Sequence, residues 1–364
     1  MIKVTVVIVD RANYGRLKPI MIELDDDPDI HLSVICCGST VLKRFHCPMM
    51  EIQNSFNVTH AIFHEVEGSN VVSAVNSMAM LMPQLALALV ENEPDFVVVI
   101  GDRFETLAVA TVVSMLEICL VHIQGGEHSG NIDDSIRHAI TKLAHYHLPA
   151  TQKASWYITH HLNEQKSRIL GVGCPVADLM DDIPVDGDLR DTILCVYHPQ
   201  SLVDNGGIAT ILLQALQSLN HPVMMFWPNI DAGSESIDKA IRRFMDINDP
   251  SWLHMMVNVE PLRYLQILKS VKGCVGNSSS FIRDASFFGT SVVLLGDRQH
   301  GREVAENVKF VSLMQMDSLK LVMLEHFQQY FKPSHLYGSP GISREFVRRL
   351  KEVYPTPLKV DTYV

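Results

Sequence analysis

Among the seven cysteines of this 364-residue chain no CxxC spacing occurs, and an odd count that includes the vicinal pair Cys36-Cys37 makes neither a disulfide framework nor a zinc site. A reducing, cytoplasmic setting is expected. Basic residues are in deficit as well. Thirty Lys+Arg against 41 Asp+Glu leave a net charge of −11, which argues against a general nucleic-acid binder but leaves room for a local cationic pocket. The opening MIKVTVVIVD lacks the long apolar stretch and small-residue cleavage site of a signal peptide. The apolar stretch from Leu107 to Val121 is interrupted by Thr111, Ser114 and Glu117, so it is not read as a membrane span. Neither GxGxxG nor GxxxxGK[ST] follows the first strand, which removes a dinucleotide fingerprint and a Walker A loop from that turn.

What is present is apolar matter in regular order. Hydrophobic residues are 47% of the chain, enough for large cores, and at roughly 150 residues per domain its 364 residues predict about two domains. Nearly continuous β-branched runs at Val4–Val9, Leu32–Cys36, Ala61–Val66, Phe96–Ile100, Cys119–Gln124 and Ile169–Val172 read as strands of a parallel sheet buried on both faces. A helix from Val71 to Val90 carries Val75, Met78, Leu81, Leu85 and Leu89 along one stripe and ends before Glu93-Pro94. The pattern restarts with Ile193–Tyr197, Val223–Phe226, His254–Asn258, Gly273–Gly276, Ser291–Leu295 and Phe310–Val311. The expectation is an α/β protein of two doubly wound Rossmann-like domains facing a central cleft, residues 1–172 and 173–364, with ligands at the carboxyl ends of the strands.

The strand-to-helix turns therefore hold the candidates. Arg11, after the first strand, can hold a phosphate or pair with a surface acid. Gly101-Asp102-Arg103 brings an acid and a base to the cleft, although Asp102 can equally cap the next helix. The segment from His122 to His138 is the densest in polar groups. It carries Gln124, Glu127, Asp133 and Asp134, and carboxylates gathered in a dry site split their pKa values into acid and base roles. One of the two aspartates can instead be the helix N-cap. His122, His138, His145 and His147 lack HExxH order, and packed histidines are the simpler reading, so no metal is expected. In the second half His198 ends a strand, and Gly276-Asn277-Ser278-Ser279-Ser280 opens a helix whose N–H groups and hydroxyls suit a diphosphate, or simply a serine cap. Asp284 and Arg298 lie downstream at the same switch point.

Six strings, in order, resemble the hydrolysing UDP-N-acetylglucosamine 2-epimerases, whose fold is the two-domain GT-B type: DRANYGRLKPIM, GDRFE, HIQGGEHSGNIDDSIRHAITKLAHYH, FWPNIDAGSESI, GCVGNSSSFIRDASFFGT and GDRQHGREVAENV. The resemblance implies a reaction in which UDP-N-acetylglucosamine and water give N-acetylmannosamine and UDP, through elimination to 2-acetamidoglucal and hydration, without a cofactor. It implies acid/base roles for Asp102 and the paired acids Asp133 and Asp134, nucleotide or diphosphate contacts for Arg11, His198, Ser278, Ser279 and Arg298, and a ribose contact for Asp284, where relatives can have glutamate; Glu127 joins the acid/base candidates and Arg103 the substrate-binding ones from their places in the same turns. Gln124 departs from relatives that carry glutamate there, and an amide cannot act as a base. The alternatives are a non-hydrolysing epimerase, a variant for a GDP-linked or modified N-acyl sugar, a GT-B glycosyltransferase, or a nucleotide-sugar sensor. The expected partners are UDP-N-acetylglucosamine, UDP and further copies of the chain in a homodimer or homotetramer, with no nucleic acid or membrane.

Overall fold

The computed structural model describes every residue except 69, 201–202, 230, 314–317, 357–358 and 360–364. Ile230, within the string FWPNIDAGSESI, thus lies outside the described residues.

Two compact units form. The first comprises Met1–Glu67, Val72–Leu179 and Tyr337–Val364, and the second Met180–Leu336 with Gly68–Val71. In the first, β1 (Ile2–Ile8), β2 (Ile30–Cys37), β3 (Val58–Ile62), β4 (Phe96–Ile100), β5 (Cys119–Ile123) and β6 (Tyr146–Leu148) make a parallel sheet in the order β3-β2-β1-β4-β5-β6. Its crossovers contain α1 (Arg11–Asp25), α2 (Met49–Ser55), α3 (Val71–Asn92), α4 (Phe104–Met115) and α5 (Ile132–Leu143), and α6 (Gln152–His160) follows β6. The second unit repeats the design. Strands β7 (Ile193–Val196), β8 (Val223–Phe226), β9 (Leu253–Met256), β10 (Gly273–Gly276), β11 (Val292–Leu295) and β12 (Val308–Val311) run parallel in the order β12-β11-β10-β7-β8-β9. Its helices are α7 (Asn205–Gln217), α8 (Ser234–Asn248), α9 (Pro261–Ser270), α10 (Ser279–Phe288) and α11 (Leu319–His326), and α12 (Ile342–Glu352) closes the chain.

The all-apolar strands follow from this topology. Every residue of β4 and β5 is buried, because helices cover both faces of the sheet. Val98 and Ile100 pack on the side of Leu17, Met21 and Phe346, while Val97 and Val99 pack on that of Leu85, Leu89 and Val113. Helix α3 is long and apolar enough to cross a membrane by length and composition alone, yet Leu81, Leu85 and Leu89 are built into the core of the sheet.

Two expectations change. Ile169–Val172 is not a strand: only Ile169 bridges to His147, and Gly171 and Gly173 at φ 154° turn the chain away. The sixth strand is the three-residue β6, too short to stand out in a polar context. The boundary at 172/173 also differs, because α12 returns to the first unit. Its Ile342, Phe346, Val347 and Leu350 join the core beneath β1 and α1, and Asp178 caps it by accepting from the N–H groups of Ile342 (3.1 Å) and Ser343 (2.8 Å). The 3.6-residue stripe of α12 is legible in the sequence, but the surface it covers is not.

Each sheet reverses its order between two neighbouring strands, β1 and β4 in the first and β7 and β10 in the second. The residues that follow these four strands stand at topological switch points, where open α/β sheets bind ligands.

Candidate functional site

In the first unit the centre is Arg137, on α5, with no side-chain exposure. Its Nε and Nη2 both donate to Asp102 Oδ2, the former at 3.0 Å, and its Nη1 donates to Asp134 Oδ1 (2.6 Å) and to the Glu127 carbonyl oxygen (2.7 Å). Ser129 Oγ lies 3.2 Å from Nη2. A buried guanidinium requires such pairing, since leaving it isolated in a low-dielectric interior is prohibitive. Burial works against its charge, but Asp102 and Glu127 more than compensate, and the guanidinium pKa rises above its ordinary value.

Asp102 follows β4 and does not cap α4, whose N-cap position belongs to Arg103. Its carboxylate is instead turned to Arg137. Asp133 and Asp134 are not caps either: Asn131 caps α5, its side chain accepting from the Asp133 N–H at 2.9 Å. Asp134 is an anchor. Burial alone raises a carboxyl pKa, but the N–H and hydroxyl of Ser129 (2.7 Å each), the Gly130 N–H (2.8 Å) and Arg137 overcome it and draw Asp134 down to about 2. Glu127 is buried in the glycine-rich loop, and Asp133 is half-buried in the first turn of α5.

Gln124 ends the β5 turn with φ 64°, a left-handed conformation rare for a residue with a side chain. Its Nε2 donates to Cys174 Sγ at 3.3 Å, and its Oε1 is buried with no hydrogen-bond partner. A buried amide oxygen left without a donor is costly in the resting protein and suits a group that meets its donor on a ligand.

Arg11 and Arg103 lie just after β1 and β4. The Arg11 N–H donates to Ser39 Oγ (3.0 Å), and its guanidinium lies 4.7 Å from the centre of the Phe45 ring. Arg103 forks onto the buried Glu105 at 3.0 and 2.9 Å. Burial raises the Glu105 pKa, opposed by Arg103.

In the second unit Asn277 is the keystone and was not singled out in the sequence. Fully buried after β10, it accepts from the His198 N–H (2.7 Å) and donates to the His198 carbonyl (2.8 Å), locking the turns after β7 and β10 together. Its own carbonyl receives Arg298 Nη1 (3.3 Å) and Gln299 Nε2 (3.1 Å). Gly276 sits at φ 141°, and a Cβ there would stand 1.9 Å from the Val196 carbonyl oxygen, so only glycine permits this approach. Ser278 caps α10, and a hydroxyl chain runs from Ser278 to Ser280 (2.9 Å) to Tyr264 (2.6 Å). Ser279 opens α10 and Asp284 is buried one turn on. Backbone N–H groups, hydroxyls and the positive end of a helix at a switch point form an anion cradle. Thus Arg298, His198 and Ser278 meet around Asn277, while Asp102, Glu127 and Asp134 meet around Arg137. Among the described residues no three His, Cys, Asp or Glu side chains are gathered to hold a metal.

Residues 22–351 match the family described as UDP-N-acetylglucosamine 2-epimerase. The chain is 29% identical over 321 residues to a GDP/UDP-N,N'-diacetylbacillosamine 2-epimerase (hydrolyzing) of Campylobacter jejuni, covering 84% of this chain and 83% of that one. It is 28% identical over 311 residues to a UDP-N-acetylglucosamine 2-epimerase of Neisseria meningitidis, covering 82% and 80%. In fold it is similar to the Methanocaldococcus jannaschii UDP-GlcNAc 2-epimerase, solved in complex with UDP-GlcNAc and UDP, with a TM-score of 0.80, 15% identity, and 97% and 100% of the two chains covered.

Proposed function

The chain belongs to the UDP-N-acetylglucosamine 2-epimerase family, and from that membership we propose that it is a hydrolysing 2-epimerase, converting UDP-N-acetylglucosamine and water to N-acetylmannosamine and UDP. A base takes the C2 proton, the C2 electron pair becomes the C1=C2 bond, and the C1–O bond breaks toward UDP. Water then adds to the 2-acetamidoglucal, its hydroxyl at C1 and a proton at C2 on the opposite face. The product feeds the making of sialic-acid-type sugars, in the cytoplasm.

The observation that carries this reading is the Asp102–Arg137 couple at the sheet's switch point. A C2 proton is weakly acidic, so the reaction needs a carboxylate held in a fixed place and a preorganised field around it. Asp102 exchanges the C2 proton. Glu127 and Asp133 serve the step on the other face, and Gln124 Oε1 accepts a hydrogen bond from the sugar. Asp134, ionised and fully engaged, holds Arg137 in place and carries no proton. Ser278, Ser279, His198 and Arg298 hold the diphosphate, Asp284 meets the ribose, and Arg11 and Arg103 offset phosphate charge. Because the leaving group is a diphosphate, positioning and charge stabilisation accomplish the elimination with no redox step.

A second reading has the N,N'-diacetylated analogue as substrate, on the strength of the relative from Campylobacter jejuni. The chemistry at C1 and C2 is the same, and the contacts to the nucleotide and to the sugar away from C1 and C2 differ. Self-association is part of the proposal: helix α3 has no charged residue from 71 to 90 and leaves Val72, Val75, Met80, Leu87 and Val90 exposed.

Incubation with UDP-N-acetylglucosamine in heavy water, read by mass spectrometry and NMR, tests the reading. N-acetylmannosamine with one deuterium at C2 and one UDP per sugar is expected. UDP-N-acetylmannosamine as sole product makes the enzyme non-hydrolysing, and turnover only of the diacetylated sugar favours the second reading. Release of UDP with no change at C2 overturns both.

A further inference from the structure

His122 lies on β5, wholly buried. Its Nε2 stands 2.8 Å from the carbonyl oxygen of Gly101, and its Nδ1 stands 3.0 Å from Thr141 Oγ1. The Gly101 carbonyl can only accept, so Nε2 carries the hydrogen. Burial pushes the imidazole pKa down to about 3, which keeps the ring neutral and makes Nδ1 an acceptor for the Thr141 hydroxyl. That hydroxyl donates to the carbonyl of Arg137 as well (2.9 Å), one turn earlier on α5, so its single hydrogen is shared between Nδ1 and that carbonyl. With both nitrogens bonded in this way, the ring is not available as a metal ligand.

One imidazole is therefore tied on one side to the peptide that enters Asp102 and on the other to the helix that carries Arg137. The first tie is reinforced, because the Gly101 N–H donates to the Ile123 carbonyl at 3.0 Å, so both polar groups of Gly101 are held by β5. The route is kept open by Gly125. A Cβ there would stand 2.7 Å from Thr141 Oγ1 and 2.9 Å from His122 Nδ1.

We propose that His122 is a positioning residue for the 2-epimerase chemistry, a clamp between the Gly101–Asp102 peptide and α5 that sets how the Asp102 carboxylate meets Arg137. It acts through Asp102 and does not touch the sugar. The inference rests on the proposed function, since it assigns Asp102 to proton exchange. Small displacements of a reacting carboxylate are expensive: about 1 Å of misplacement costs about 100-fold in rate.

The test compares His122→Leu, His122→Gln, Thr141→Val and the His122→Leu/Thr141→Val double variant with the wild type. For each, kcat, KM, UDP affinity and melting temperature are measured, together with the guanidinium NMR signal of Arg137 in substrate-free protein. His122→Leu should lose about 100-fold in kcat with KM and UDP affinity within about twofold of wild type. His122→Gln, whose amide can still donate to the Gly101 carbonyl, should recover most of kcat. Thr141→Val should fall less, and its effect should largely vanish in the double variant. The Arg137 signal should shift in His122→Leu and return in His122→Gln. Unchanged kcat and an unchanged Arg137 signal in His122→Leu overturn the proposal. So does a joint loss of kcat, UDP affinity and stability in both His122 variants, which marks a residue of the fold only. A wild type that turns over no nucleotide sugar overturns the functional reading instead, and the Arg137 signal still decides the clamp.

Discussion

Arg137 holds Asp102 by a single oxygen: Nε and Nη2 of the buried guanidinium both reach Oδ2, while Nη1 turns away to Asp134 and the Glu127 carbonyl. One cation thus orders three acidic residues drawn from the ends of two strands and the start of a helix. Removing either end of the couple has different consequences. Asp102→Asn keeps the shape and leaves Arg137 paired with Asp134, so turnover should fall more than about 1,000-fold with folding and UDP affinity nearly unchanged. Arg137→Gln leaves two carboxylates without their cation, and stripping one partner from a buried pair costs about 3–5 kcal/mol. Urea or thermal unfolding of the two variants checks this, and a wild-type melting temperature for Arg137→Gln contradicts the pairing.

Asp134 makes a prediction about acid. Its pKa is about 2 in the fold against 3.8 for the free group, so the folded state favours the ionised form. A depressed carboxyl pKa contributes stability that is present above the unfolded value and lost as pH falls through the folded one. The contribution should therefore be whole at pH 5 and fade between about pH 4 and pH 2. Asp134→Asn should melt lower than wild type at pH 6, with the gap closing toward pH 2. A gap that stays constant over that range rules out Asp134 as the source.

Much of this was legible in the chain. The apolar runs located eleven of the twelve strands, because strands covered on both faces must be apolar throughout, and β4 has the predicted bounds. The acidic and serine-rich turns follow β4, β5 and β10, as the strand-by-strand reading expects. Hidden were Arg137 and Asn277, whose roles come from what they bond across sequence distances of 35 and 79 residues. Nothing local separates a buried arginine from a surface one on an amphipathic helix. The return of α12 to the first unit was hidden for the same reason: a stripe declares that a face is covered, but not by what.

Gln124 has a buried Oε1 with no partner at a backbone angle a side-chain-bearing residue seldom adopts. If that oxygen takes a hydrogen bond from the sugar, Gln124→Leu should lower kcat about tenfold or more while leaving UDP affinity alone. Parallel titration with UDP separates the two quantities. Equal kcat in variant and wild type removes Gln124 from the site.

Ser278 has two functions that separate by measurement. As the N-cap of α10 it stabilises the helix, and its replacement by alanine costs about 1 kcal/mol. As part of the anion cradle it should contribute to UDP binding, so calorimetry of Ser278→Ala and the Ser278→Ala/Ser279→Ala variant should show affinity falling roughly tenfold or more. Stability lost with UDP affinity intact leaves Ser278 as a cap alone.

Helix α3 raises the question of what covers it. Leu81, Leu85 and Leu89 enter the core, but Met80, Leu87 and Val90, and also Val75 in the first turns of the expected apolar stripe, are each more than half exposed. A chain of net charge −11 repels its own copies. That repulsion is weakest where charge is missing, and α3 offers about five turns of surface, residues 71 to 90, without a charged side chain. A second copy placed there would bury apolar groups and bring no like charges together from the helix itself. Light scattering should then give the wild type at twice or four times the monomer mass, and the Val75→Glu/Leu87→Glu variant at the monomer mass. Both side chains are more than half exposed, so the melting temperature of the dissociated chain reports only the loss of association. A wild type already monomeric at micromolar concentration, or a variant of unchanged mass, shows that copies do not meet on α3.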